Sequence, residues 1–107
     1  METPMNMNEY QDKALSFRLE SATTMYALLN LSGEVGELHS HLAKRIRDGG
    51  GEFIGDLIAK EMGDILWCLA ALANDYGWTL SDIAEMNIEK LESRKQRNVL
   101  TGSGDNR

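Results

Sequence analysis

Apolar residues recur at intervals of three and four in four stretches of this chain, each set off by polar or glycine-containing segments. In "NEYQDKALSFR", Tyr10, Ala14 and Phe17 predict a first helix of about three turns over 8–18, ended by the polar "ESATT". Leu28, Leu31, Val35, Leu38, Leu42 and Ile46 predict a second. The glycines of "RDGGGE" stop it where a left-handed cap is allowed, with the turn near residue 49. A third helix carries Ile54, Ile58, Ile65, Leu69, Leu72 and Tyr76 up to "YGW", and its stripe has one gap, at Glu61. The fourth begins at "TLSD", where Thr79 caps and Asp82 returns the bond in a capping box, and runs to about Arg97. No repeat, linker or low-complexity segment interrupts the pattern. The expectation is an all-α fold, a four-helix antiparallel bundle over 1–97, followed by a tail over 98–107.

Composition narrows this. A chain of 107 residues, 42% apolar with one proline, is the size of one compact domain. Its longest unbroken apolar run, 65–73, is far shorter than the roughly 20 residues that span a bilayer. The start at Met1 carries no basic, apolar leader, so the expected location is cytoplasmic, with no membrane partner. Cys68 is the one cysteine, which excludes an internal disulfide, and its apolar setting predicts a buried thiol rather than a nucleophile. That run is apolar all round and includes Trp67, more than one buried face needs, which predicts a second chain covering the rest.

Charge adds a polarity. The net charge of −6 argues against binding a nucleic-acid duplex. Residues 1–89 hold 6 basic against 15 acidic side chains, whereas 90–107 hold 5 basic against 2 acidic. An acidic body with a basic end suits a metal site that receives a small anion.

The acids themselves are arranged symmetrically about the glycine turn. If the second and third helices form an antiparallel hairpin, residues equidistant from the turn lie side by side. Glu34 and Asp64 are centred on residue 49, and so are Glu37 and Glu61. Each pair is spaced i, i+3 on one helix face, so four carboxylates should meet about 18 Å from the turn. Buried acids that face one another protonate or bind a cation, and oxygen-only ligands suit Mg²⁺, with Mn²⁺ as a substitute. Gly33, Gly36 and Gly63 lie beside these acids, where they allow close helix packing or leave space for a ligand.

The segments "GEVGE" and "KEMGD" resemble the Glu-x-x-Glu and Glu-x-x-Asp motifs of the MazG-like, all-α nucleoside triphosphate pyrophosphohydrolases. "RDGGG" is similar to the family's connection after the first acid pair, "EMGDILWCLAALA" to its second acid helix, "NIEKLESR" to its Asn-x-x-Lys-Leu-x-x-Arg segment, and "GSGDNR" to a tail found in one branch. The resemblance implies Mg²⁺-dependent hydrolysis of a nucleoside triphosphate to the monophosphate and pyrophosphate. It further implies metal binding by Glu34, Glu37, Glu61 and Asp64, with Glu34 or Glu37 helping to deprotonate the attacking water. A homodimer or homotetramer agrees with it.

Asn87, Lys90 and Arg94 share a face of the fourth helix, and with Lys44 and Arg107 they are the candidates for the phosphate oxygens. The tail is expected to be flexible and to fold over the triphosphate, at a neighbouring subunit's site. His41 is expected to face solvent, and His39 carries no signal. Tyr10, Phe17, Tyr26 and Trp78 are candidates for stacking on a base. Two other classes compete. A ferritin-like redox iron site lacks its Glu-x-x-His motifs here. A non-enzymatic regulatory bundle that keeps the acids for structure would release no pyrophosphate from nucleotides.

Overall fold

The computed structural model describes residues 3–50 and 55–107, and everything below concerns those residues; Ile54, which the third stripe includes, lies outside them. Four helices and no strand are found among them: α1 (Met7–Leu15), α2 (Thr24–Arg47), α3 (Gly55–Asp75) and α4 (Leu80–Gln96). None is long and apolar enough to cross a membrane.

Local chemistry sets the ends. Asn6 caps α1, its side chain accepting from the Glu9 N–H at 2.8 Å, and Thr23 caps α2 by accepting from Tyr26. The expected capping box is present at α4: Thr79 Oγ1 accepts from Asp82 N at 3.1 Å while Asp82 returns a bond to Thr79 N at 3.0 Å. After α3, Gly77 takes a φ of +82° and Trp78 N reaches back to Ala73 O at 2.8 Å, a left-handed turn that reverses the chain into α4. Asn98, with φ +58°, does the same after α4, where Val99 N bonds Arg94 O at 2.8 Å.

The first helix is shorter than its periodicity predicts. It stops at Leu15 because Phe17 N and Arg18 N turn to the carbonyls three residues back, and Ser16 Oγ donates to Lys13 O at 2.6 Å. Phe17 therefore leaves the core stripe and is 71% exposed. Arg18 is drawn elsewhere: its Nε donates to Ala22 O, and both terminal nitrogens grip Asp75 at 2.7 and 2.9 Å. Thr24 Oγ1 also donates to Asp75 at 2.7 Å. One carboxylate at the end of α3 thus ties down the α1–α2 connection and the first residue of α2.

Packing follows the antiparallel α2–α3 hairpin, with α1 laid on α3 and α4 touching only α1 and α3. Helix α4 makes no contact with α2, so a single chain does not close the expected four-helix bundle. The radius of gyration, 17.0 Å, exceeds the roughly 13 Å of a compact domain this size. The accessible surface, 8161 Å², exceeds the roughly 6,000 Å² of a folded monomer of this mass.

The buried core is correspondingly made of small side chains, Ala14, Ala27, Ala70, Ala71, Ala73 and Cys68, with Leu80 the largest. Leu28, Ile46, Leu69 and Tyr76, placed on core stripes by their spacing, are exposed. Trp67 is half-buried by the chain itself, donating its indole N–H to Ala14 O at 3.1 Å. Gln11, 5% exposed, is the polar joint of this core. Its amide donates to Ala70 O and Trp78 O, and its carbonyl accepts from Leu80 N at 2.9 Å.

Glycines at the acids do not mark close helix contact within the chain, which corrects the packing reading. A Cβ on Gly36 or Gly63 would meet nothing within 4 Å, and on Gly33 only Asn30 at 3.9 Å.

Arg18 holds the Asp75 carboxyl at a pKa of about 2, with Thr24 assisting, against an ordinary 3.8. The lowered value favours the folded state above pH 4, by about 2 kcal/mol at neutral pH, and this contribution is lost as pH falls through 2. Asp75→Asn should accordingly lower the unfolding free energy in urea at pH 7 by about that amount. The gap from the unsubstituted protein should shrink below pH 4.

Candidate metal centre

Acids from the two central helices meet as the hairpin symmetry requires. Ligand oxygens of Glu34 on α2 and of Glu61 and Asp64 on α3 all lie within 4.8 Å of one another. Glu37 stands outside this trio, exposed one turn along α2, and shares a hydrogen bond with Glu34. The structure therefore brings three of the four candidate ligands together, with the fourth against one of them.

Electrostatics at the trio are unfavourable as they stand. Glu61 is 8% exposed, and one oxygen of Glu34 and one of Glu61 are buried with no hydrogen-bond partner. Desolvation raises the pKa of Glu34, followed by its hydrogen bond to Glu37 and the charges of Asp64, Glu37 and Glu61. Two orphaned carboxylate oxygens facing a third acid form a donor set that a divalent cation fits: it would supply the missing partner and cancel the repulsion.

Around the trio stand residues that the sequence did not place beside the acids. Asn30, one turn before Glu34, donates to Glu34 Oε1 and to Cys68 Sγ, both at 3.5 Å. His41, expected in solvent, is half-buried with Nε2 3.5 Å from Glu61 Oε1. A signal was available, because His41 lies two turns from Glu34 on the same helix face. Tyr10 reaches the same neighbourhood: burial raises its pKa first, and the Asp64 charge second. Cys68 is fully buried and its thiol pKa is raised by burial, in keeping with an inert thiol.

The candidate phosphate ligands are either engaged with the tail or exposed. Arg94 is 6% exposed, and its Nη2 donates to Gly104 O, Asp105 O and Asp105 Oδ1 at 3.2–3.3 Å. Lys90 Nζ joins the same Asp105 oxygen at 3.2 Å. Arg107 binds the carbonyls of Val99, Leu100 and Gly104, while its own carbonyl accepts from Arg97. The tail thus folds back on α4 of its own chain instead of extending as flexible polar chain. Lys44 is exposed in the last turn of α2. Asn87 and Lys90 line a groove of about 330 Å³ with Trp78, Ile83 and Met86. Tyr26 and Phe17 are exposed elsewhere.

A helical domain with carboxylates from two antiparallel helices converging on one point defines a class, that of α-helical proteins built around an acidic site for a divalent cation. The family profile described as the MazG nucleotide pyrophosphohydrolase domain matches residues 21–99, and the chain belongs to that family. It is similar to the "Gene 37 protein" of Mycobacterium phage L5, with 41% identity over 85 residues, covering 77% of this chain and 75% of that protein. No solved structure matches the chain.

Because the raised pKa of Glu34 favours the folded state at low pH and is a cost once pH rises through it, this group should add thermal stability to the metal-free protein as pH falls from neutral toward the ordinary value of 4.5. Added divalent cation should raise the melting temperature more at pH 7.5 than at 5.5, since protons compete for the same oxygens. Melting curves with EDTA and with excess Mg²⁺ or Mn²⁺ at both pH values check both directions.

Proposed function

We propose that the protein hydrolyses a nucleoside triphosphate between the α and β phosphates, releasing the monophosphate and pyrophosphate, as nucleotide-pool housekeeping. The observation that carries this reading is the convergent acid trio with two orphaned oxygens, one on half-buried Glu34 and one on buried Glu61, set in a chain of the MazG pyrophosphohydrolase family. Glu34, Glu61 and Asp64, with Glu37 beside them, would hold Mg²⁺ or Mn²⁺. When bound, such an ion neutralises phosphate charge and makes water acidic enough to attack. Phosphoryl transfer to water needs little else from a protein than alignment and charge, so no nucleophilic side chain is required.

The chain's own residues then divide the work. Glu37, exposed beside Glu34, takes a proton from water, and Glu34 shares that proton through their hydrogen bond. Asn30 and His41 orient Glu34 and Glu61 from outside. Lys90, Arg94 and Asn87 receive the phosphate oxygens, with Lys44 and Arg107 as further cations and residues 98–107 closing over the substrate. Trp78, in one groove with Asn87 and Lys90, offers a stacking face for the base. The working form is a homodimer or homotetramer: α4 stands away from α2, and the apolar side chains left exposed on α2, α3 and α4 need a helical partner. The site operates in the cytoplasm, with neither a membrane nor a nucleic-acid duplex as partner.

Glu61→Gln removes one ligand charge at almost constant volume. It should lower kcat with Mg²⁺ by at least about 100-fold, since changes one shell further out already cost 10–100-fold. The metal-free melting temperature should stay the same or rise as repulsion falls. A panel of ordinary, deoxy and modified triphosphates, with products resolved by chromatography, should give pyrophosphate first; orthophosphate as first product would reject α–β cleavage. No release of either from the panel would favour the regulatory bundle.

A further inference from the structure

The basic end of α4 already holds an anion, and that anion belongs to the chain. Asp105 Oδ1 accepts from both Lys90 and Arg94, and the two cations hold its carboxyl below the ordinary range, Lys90 having the larger effect. The carboxylate is a poor fit for what surrounds it. Its side chain is 83% exposed, whereas that of Arg94 is only 7% exposed. All of the bonds from Arg94 run through Nη2, and Nε is buried with no partner. These two nitrogens share one edge of the guanidinium, the edge that grips two oxygens of a phosphate or carboxylate at once. Asp105 uses one prong and leaves the other unsatisfied, although an unmet buried donor is costly.

We infer that Asp105 is an internal counter-anion occupying the phosphate position between Lys90 and Arg94, so that the triphosphate binds by displacing it and the tail sets the affinity of the site. The inference rests on the reading that Lys90 and Arg94 receive substrate phosphate. A di- or triphosphate brings more charge than one carboxylate and can present paired oxygens to Nε and Nη2. Asp105 holds on through solvent-screened pairs, which are weak and exchange readily. Its neighbours permit the exchange: Gly102 and Gly104, with φ of +112° and +86°, lie just before it, and their backbone tolerates the re-aiming that a side chain would resist.

The test uses the full chain and inorganic pyrophosphate as probe, titrated calorimetrically in EDTA so that the acid site takes no part. Asp105→Asn keeps the shape and removes the charge, and it should bind pyrophosphate roughly threefold or more tightly than the unsubstituted protein. Equal or weaker binding by Asp105→Asn, or no binding by either protein, overturns the inference. Lys90→Gln separates the two levels, since Lys90 is partly exposed and circular dichroism checks that its loss leaves the fold intact. If it weakens pyrophosphate binding while Asp105→Asn does not strengthen it, the counter-anion role alone fails. If it leaves binding unchanged, the assignment of phosphate to these cations fails as well.

Discussion

Like charges forced together inside the α2–α3 hairpin govern the rest of this structure. Glu34, Glu61 and Asp64 are close enough that their mutual repulsion opposes the packing of the two helices carrying them. The hairpin nevertheless has little large-side-chain core to set against that cost; Cys68 is the largest side chain that is fully buried. Stability therefore has to come from the ends. Asp75 binds Arg18 and Thr24, Gln11 joins three main-chain groups, and the Thr79–Asp82 box starts α4. Polar contacts at the periphery hold in place a centre that is electrostatically unfavourable until it is neutralised.

Small buried side chains and large exposed ones are two sides of one arrangement. Alanines on α3 let α1 approach closely enough for Trp67 to reach the Ala14 carbonyl. The bulkier Leu28, Leu69 and Ile83 are turned outward. Helix α4, which could have covered some of them, is directed away by the left-handed turn at Gly77 and meets only α1 and α3.

Much of this was legible in the sequence, for identifiable reasons. Helix positions followed from spacing because amphipathic periodicity reflects burial on one face, and the start of α4 followed from Thr79 and Asp82 because a capping box is local chemistry. Acid convergence followed from symmetry about residue 49, since an antiparallel pair converts sequence distance from a turn into height. What failed was non-local. Periodicity identifies a face that needs covering but not which element covers it, so Phe17 and Leu28 were placed in a core that one chain does not build. Spacing of i, i+3 fixes a face only to within tens of degrees, so the sequence does not separate Glu37, which stands beside Glu34, from the three acids whose oxygens meet. The folded tail was missed because Arg94 and Arg107 hold main-chain carbonyls, acceptors that every residue carries.

The joint made by Gln11 also has a consequence for the order in which the molecule can assemble. Its partners, Ala70, Trp78 and Leu80, are 59 to 69 residues further along, so α1, made before the other three helices, cannot close this joint until α3 and the start of α4 have been made. The α2–α3 hairpin has been made by then, and it gains the support of this joint only when α4 begins. During synthesis α1 is a waiting segment, and the closure of its amide onto Leu80 marks the moment at which the N-terminal part of the chain acquires its final partners.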